Sequence, residues 1–407
     1  MTVDTVIAGI QVDDAHPVCL MGVINLSPES FYKRSVKAPD NIVAQAHQMI
    51  EQGADFLDVG ARSTWPLANK ITKEEERRRL IRALELLLDN VNVPISVDTQ
   101  FADLARETLD MGAHIINDVS GLTTDNKMVE IVREYGCPVV VMASNSIPGD
   151  PLGMDAVMSS LDRIVQKAEG SGVEPGKIII DPAIGKWLPE KSPEYDFETL
   201  DQLERLKAFE KSVLVAISRK SCIGEIVKKP ASERLMGSLA ATAIAVYKGA
   251  HIIRTHDVGE TADAVRVAEA IKGRNIVSET AGYSVEVLDI ANSEDAPRYF
   301  TKIGATGTGS QVMKGKSICK ILRINNVTTT EGLIIKQEAL ARGCDAALPR
   351  DAISHETENV DLILMGTELQ IQRLAAKLQH QARDLPIIAQ LIRTTLKRCS
   401  DTEYRYR

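Results

Sequence analysis

No two of the six cysteines (Cys19, Cys137, Cys222, Cys319, Cys344 and Cys399) stand close together in the chain. That spacing excludes a zinc knuckle or a dithiol redox pair, and reduced, mostly buried thiols are expected. Long apolar runs are missing too: none approaches the roughly 18 uninterrupted residues a membrane helix needs. The N-terminus is polar and acidic rather than that of a secretory signal. A cytoplasmic protein with no membrane partner is therefore expected. Nor is there an excess of positive charge. Lys and Arg number 48 against 56 Asp and Glu, a net charge of −8, which argues against general nucleic-acid binding. It leaves room for a locally positive site that takes an anionic small molecule. Internal repeats and low-complexity stretches are absent. So are a Ser-His-Asp ordering, a thiol with a basic partner and a histidine cluster at metal-ligand spacing, so hydrolysis through a covalent intermediate is not suggested.

The 407 residues are 44% hydrophobic and 26% charged, an ordinary globular composition at a length for which two domains are the default. Short apolar runs recur through the first 260 residues, most ending on a polar side chain: 20–25, 56–60, 95–98, 115–117, 138–142, 178–181, 213–218 and 250–254. Between them lie stretches with helical periodicity, such as 42–52, 74–88, 102–111 and 235–247. Gly53, Gly112, Gly136 and Gly249 stand where such helices end, as C-caps do. Strands alternating with helices imply parallel βαβ units. Eight of them over about 250 residues is the size of a (β/α)8 TIM barrel. A doubly wound sheet would want a phosphate-binding glycine fingerprint after its first strand, and Asn25-Leu-Ser-Pro-Glu-Ser30 offers none. The fold class expected is α/β, with a catalytic (β/α)8 barrel over residues 1–275 and a small α/β domain over 276–407.

Barrel enzymes carry their chemistry at the C-terminal ends of the strands. Standing there are Asn25, Asp58, Asp98, Asn117, Asp181, Ser218, Lys220, Arg254 and His256. One polar residue at a strand end commonly just caps a loop, but nine converging on one rim need partners or water, which points to an active site. Arg254 and His256, two apart, face the same side of an extended chain and make a cationic, hydrogen-bonding edge on strand eight, where barrels often bind phosphate. A surface ion pair with Asp257 is the plainer reading of that pair. Asn25 is able to supply a neutral oxygen to a magnesium ion carrying phosphate oxygens, since Mg2+ takes few protein ligands; alternatively it pins the turn that follows. Asp98, Asn117 and Asp181 suit a flat heterocycle with ring N–H donors and a carbonyl, and Lys220 stands beside them. The ring fits displacement of a phosphate-type leaving group from a bound heterocycle.

These residues also carry a family resemblance. Met21-Gly-Val-Ile-Asn-Leu-Ser-Pro-Glu-Ser-Phe31 resembles the opening signature of the dihydropteroate synthases, and Gly53 to Pro66 is similar to their second. Ile95-Ser-Val-Asp-Thr99, Ile116-Asn-Asp-Val-Ser-Gly121, Asp181-Pro182, Ser218-Arg-Lys-Ser221 and Arg254-Thr-His-Asp-Val258 follow in the family's order. The match spans about residues 21–272. It implies a transferase of folate biosynthesis that joins 6-hydroxymethyl-7,8-dihydropterin pyrophosphate to p-aminobenzoate or a related arylamine, with release of pyrophosphate. By this resemblance Asp98, Asn117, Asp181 and Lys220 hold the pterin. Asn25 with Mg2+, Arg254 and His256 hold the pyrophosphate, and Ser218 and Thr64 lie near the aminobenzoate. The partners implied are these small molecules, and a homodimer is plausible because barrel enzymes often associate. A pterin-dependent methyltransferase shares the barrel and the Asp-Asn-Asp group but has no need of Ser218, Lys220, Arg254 or His256. A non-catalytic pterin-binding paralogue is the remaining alternative.

The chain departs from the family pattern in its loops. Trp65 stands where the second signature has arginine, which removes a charge and a forked donor; Arg62, Lys33 or Arg34 are candidates to replace it. Met142-Ala-Ser-Asn145 and Asp181-Pro-Ala-Ile-Gly-Lys-Trp187 depart from the usual Met-His-Met-Gln-Gly and Asp-Pro-Gly-Ile-Gly-Phe-Gly. Acceptor identity is where these changes bear. In the tail, strands are expected over 283–289, 320–324 and 360–365, and helices over 330–342 and 367–380. Gly304-Ala-Thr-Gly-Thr-Gly-Ser310 is read as a connecting loop in preference to a phosphate cradle.

Overall fold

A computed structural model describes residues 5–27, 41–62, 71–272, 277–280, 283–288, 290–354 and 357–400. The chain packs as two units, Met1–Val287 and Leu288–Arg407. The sequence reading began the tail at 276; the structure keeps the antiparallel hairpin Val277–Thr280 and Tyr283–Glu286 in the first unit.

In the first unit eight parallel strands close into a barrel. They are β1 (Cys19–Asn25), β2 (Phe56–Gly60), β3 (Ile95–Asp98), β4 (Ile115–Asp118), β5 (Val139–Met142), β6 (Ile178–Asp181), β7 (Ser212–Val215) and β8 (Ile252–Thr255). Because side chains alternate across a strand, each strand sends every second residue inward. One inward layer is apolar: Met21, Phe56, Ile115, Val140, Ile179, Leu214 and Ile252 form a single buried cluster. Two residues further along the chain stand Val23, Asp58, Asn117, Met142, Asp181, Ala216 and Arg254, so polar side chains enter the layer above on four of the seven. Apolar burial holds the barrel; the next layer up is where its chemistry sits. Gly60 serves that layer by omission. A methyl group there would lie 3.3 Å from Cβ of Asp98, its neighbour in the register that pairs β2 with β3.

An N-terminal hairpin, Thr5–Ile7 paired with Ile10–Val12, was not legible in the sequence. Its Ile7 and Val12 join the apolar layer, and the Ser212 hydroxyl donates to the Val12 carbonyl at 2.7 Å, so the hairpin closes the barrel floor. Gly112 and Gly136 sit in left-handed conformation at the C-caps of helices Ala102–Met111 and Met128–Tyr135, as expected. Two strand ends differ from the sequence reading. Strand seven stops at Val215, not Ser218, and strand eight runs to Thr255. Ser218 and Lys220 therefore lie in the turn after β7, where Arg219 has φ +56°, and Arg254 lies within a strand.

The second unit is a three-stranded antiparallel sheet, in the order Cys319–Thr328, Asn359–Thr367, Asp345–Ala347, with helices Thr329–Leu340, Glu368–Leu378 and Leu385–Ser400. Val360, Leu362 and Leu364 alternate into its core against Ile335, Ile371, Leu374 and Leu378. Thr328 with Glu331, and Thr367 with Gln370, form capping boxes that turn a strand directly into a helix. The glycine-rich 304–310 stretch is the start of helix Gly307–Lys314, its Gly309 N–H capped by the Thr306 hydroxyl.

Candidate active site

Arg254 is the hub of the polar layer. Its Nε donates to Asp58 Oδ2 at 2.7 Å and its Nη2 lies 2.6 Å from the same oxygen. The same Nη2 donates to Asp98 Oδ2 at 3.3 Å. Asp58 is fully buried; it also accepts from the Ser96 hydroxyl at 2.6 Å and from Asn117 Nδ2 at 3.3 and 3.4 Å. Four strands, β2, β3, β4 and β8, are thus joined through one carboxylate. Asp257, read from sequence as a surface partner for Arg254, pairs instead with Arg219: Nε to Oδ2 and Nη2 to Oδ1, each 2.7 Å. Arg219 Nη1 also holds the carbonyls of Ala231 and Ser232, so that pair is a brace for the turn carrying Ser218 and Lys220. Among the described residues Arg254 Nη1 makes no hydrogen bond or ion pair, which leaves it two donors for a ligand.

Burial and the neighbouring Asp58 charge push the Asp98 carboxyl up to about 8, against the pull of Arg254. Burial also raises Asp181, opposed by the Ala183 N–H it accepts at 2.7 Å and by the charge of Lys220. Burial lowers Lys220 in turn, while Asp181 raises it. Lys220 lies over Trp187, its Nζ 5.1 Å from the ring centroid. His256 is pushed down to about 3 by burial and by Arg254, Lys220 and Arg219. It is therefore a neutral imidazole, not part of a cationic edge. Its Nδ1 is 3.0 Å from the Ser218 hydroxyl, and that hydroxyl accepts the His256 backbone N–H at 3.3 Å. With the serine hydroxyl as donor, Nδ1 accepts and the ring carries its own proton on Nε2.

Asn25, at the end of β1, accepts the Ser27 N–H at 2.9 Å, so it does pin the following turn. A carboxamide oxygen has a second lone pair. Among the described residues no group of three His, Cys, Asp or Glu side chains is placed to hold a metal ion. Thr64, Trp65, Lys33 and Arg34 lie outside the described residues. Arg62, offered from sequence as a replacement charge, is engaged elsewhere: its Nε donates to the buried Glu76 at 2.6 Å. The structure thus brings Asp98, Asn117 and Arg254 into one hydrogen-bonded group through Asp58, sets Asp181 beside Lys220, and joins Ser218 to His256. Sequence reasoning noted Asp58 as a strand end but gave it no role; its place two residues after Phe56 on an inward-facing strand was the available signal. It noted Trp187 only as part of an altered loop, and gave no role to Ser96 or Lys191.

A model of the pterin binding enzyme family matches residues 21–256, a stretch that includes Asn25, Asp58, Asp98, Asn117, Asp181, Ser218, Lys220, Arg254 and His256. The dihydropteroate synthase of Escherichia coli (strain K12) is 37% identical over 273 residues, covering 64% of this chain and 94% of that one. Among solved structures, dihydropteroate synthase from Coxiella burnetii in complex with pteroic acid is similar with a TM-score of 0.58 at 32% identity, over 63% of this chain and 94% of that one. The Xanthomonas albilineans dihydropteroate synthase with 4-aminobenzoic acid has a TM-score of 0.60 at 33% identity, over 67% and 99%. The unit Leu288–Arg407 lies beyond the family match.

Proposed function

We infer the function from one premise: the chain belongs to the pterin-binding enzyme family and is a transferase of the dihydropteroate synthase type. Its reaction joins 6-hydroxymethyl-7,8-dihydropterin pyrophosphate to p-aminobenzoate, releases pyrophosphate and forms dihydropteroate for folate synthesis. The observation that carries the reading for this chain is the Arg254 hub, with Asp58 and Asp98 on one side of the guanidinium and two Nη1 donors in hand.

In the mechanism we propose, Asp98, Asn117 and Asp181 accept from and donate to the pterin ring, with the Lys220 ammonium at a ring carbonyl or nitrogen. Arg254 Nη1 and His256 Nε2–H bind pyrophosphate oxygens. As the C–O bond breaks, negative charge grows on the leaving pyrophosphate, and preformed donors that do not need to reorient stabilise it. The positive charge left on the methylene carbon is favoured by Asp98 and Asp181 nearby. The arylamine nitrogen attacks with its free lone pair and loses a proton afterwards, so no strong general base is required. Thr64 and Ser218 are assigned to the aminobenzoate side. For magnesium, the donor chemistry fits an ion carried chiefly by pyrophosphate and water, which Asn25 Oδ1 would hold as a neutral protein oxygen. Such an ion would offset charge on the leaving group.

The assay is arylamine-dependent pyrophosphate release from the pterin pyrophosphate. The same pterin as its free alcohol should be inert; methyl transfer from a methylated pterin would instead support the methyltransferase alternative.

We also propose that the first unit pairs with a second copy of itself. Helix Leu235–Tyr247 carries no charged residue, and its outer side exposes Met236 (76%), Ile244 (48%) and Tyr247 (55%). Helix Val258–Lys272, packed beside it, exposes Val267 (60%) and Ile271 (70%). A helix without a charged residue belongs in an interior or an interface, and its exposed apolar face suits a like face about a two-fold axis. Light scattering should give a dimer for the native chain and a monomer for Met236→Glu; a native monomer would refute the pairing.

A further inference from the structure

Two donors converge on one backbone carbonyl in the loop after β6. Lys191 Nζ donates to the Ala183 oxygen at 2.6 Å, and the Trp187 indole N–H donates to the same oxygen at 3.0 Å. Ala183 has φ +62°, a left-handed backbone that disfavours any residue with a Cβ. Lys191 is buried, and so is Asp196, whose Oδ1 lies 3.4 Å from Nζ. That carboxylate oxygen also accepts the Gly185 N–H at 2.9 Å. A buried ion pair of this kind adds little net stability, because desolvation offsets the Coulombic attraction. What it does fix is the path of 183–185, with both ends of the segment tied to one ammonium–carboxylate pair.

That path reaches two residues assigned to the pterin. The Ala183 N–H is held by Asp181, so moving Ala183 moves the carboxylate's partner. The Lys220 side chain lies against Gly185, where a methyl group would stand 3.0 Å from both its Cδ and its Nζ. The other wall of Lys220 is the Trp187 ring, and that ring rests on Gly149, where a Cβ would come within 2.2 Å of it. Lys220 is thus cradled by the segment that Lys191 and Asp196 hold.

We propose that Lys191, Asp196 and Trp187 form a clamp on Ala183 and Gly185 that positions Asp181 and Lys220 for the pterin. The inference rests on the assignment of Asp181 and Lys220 to the pterin made above. Lys191 and Asp196 are positioning residues: they act through the loop, not on the substrate. The strained Ala183 gives the clamp a signature that a merely structural pair lacks. If the clamp holds Ala183 against its backbone preference, glycine at that position should make the clamp less necessary.

The test is a cycle of Lys191→Met, Ala183→Gly and the double variant, with pterin pyrophosphate affinity, the KM for p-aminobenzoate and Tm measured on each. Methionine keeps the volume of the side chain and removes its ammonium. We expect Lys191→Met to weaken pterin pyrophosphate binding about tenfold, the equivalent of about 1.4 kcal/mol, with the p-aminobenzoate KM within about twofold of the native value. Ala183→Gly should recover most of that loss in the double variant. A second readout is independent of turnover. The chain has two tryptophans, Trp65 and Trp187, so in a Trp65→Phe background the emission reports Trp187, and Lys191→Met should shift it to the red. Native pterin affinity in Lys191→Met, or a loss that follows Tm alone and is untouched by Ala183→Gly, overturns the clamp and leaves the catalytic reading standing. Native protein that binds no pterin overturns the catalytic reading and the clamp with it.

Discussion

Asp58→Ala is expected to be the most damaging single substitution in the barrel, abolishing pyrophosphate release and lowering stability by about 3–5 kcal/mol, the range for breaking a buried ion pair on one side. The carboxylate is fully buried and accepts from Ser96, Asn117 and Arg254. Among the described residues, alanine would leave the Arg254 guanidinium with only the 3.3 Å contact to Asp98 as a carboxylate partner, and would free Asn117 from its anchor. For a domain of this size each kcal/mol moves Tm by roughly 2–4 °C, so a fall of about 10 °C is expected in a thermal scan. Asp58→Asn separates the two effects. It keeps the shape and an acceptor for Arg254 but loses the charge, so it should fold better than Asp58→Ala and still turn over poorly. Native-like activity in either variant would show that Arg254 does not depend on Asp58.

Asp98→Asn should act in opposite directions on stability and on binding. The folded-state value of Asp98 is about 8, raised from an ordinary carboxylate by burial and by Asp58. Below about pH 4 folded and unfolded chains both hold the proton, and the group contributes nothing. Between about pH 4 and 8 the unfolded chain has released its proton and the folded chain has not, so stability falls as pH rises. The cost levels off above about pH 8, at an order of 5 kcal/mol, from roughly four units at 1.36 kcal/mol each. Asparagine removes that cost. The variant should therefore match native stability near pH 4, exceed it by several kcal/mol near pH 8, and lose pterin binding. A related consequence concerns native protein. If pterin N–H groups donate to the Asp98 carboxylate, binding favours the charged form, so affinity should rise with pH up to about 8 and binding should release a proton. Calorimetry in buffers of different ionisation enthalpy measures that proton; uptake in place of release would contradict the assignment.

Much of the fold was legible because the barrel repeats one physical rule. Four of the strands are short apolar runs with a polar residue two positions beyond an inward apolar one: Phe56–Asp58, Ile115–Asn117, Ile179–Asp181 and Ile252–Arg254. The rule fails where local geometry decides. Nothing in 213–218 marks Val215 as the last paired residue, because Ala216 and Ile217 are as apolar as the strand before them. The hairpin 5–12, two strands of three residues each, is too short to show periodicity, and closure of the barrel floor is what gives Ile7 and Val12 something to pack on. In the site, residue types were readable but partnerships were not. Arg254 is next but two to Asp257 in sequence, yet its partners come from β2 and β3, more than 150 residues earlier. His256 looked cationic from composition; burial beside Arg254, Lys220 and Arg219 makes it neutral. Lys191 could not be picked out, because a lysine in a polar loop normally faces water.

The most direct measurement is pyrophosphate release by the purified protein with 6-hydroxymethyl-7,8-dihydropterin pyrophosphate and magnesium, with and without p-aminobenzoate, for native protein and Arg254→Ala. The account predicts release that requires the arylamine and is lost in the variant. Saturable pterin binding without arylamine-dependent release, or undiminished release by Arg254→Ala, would contradict it.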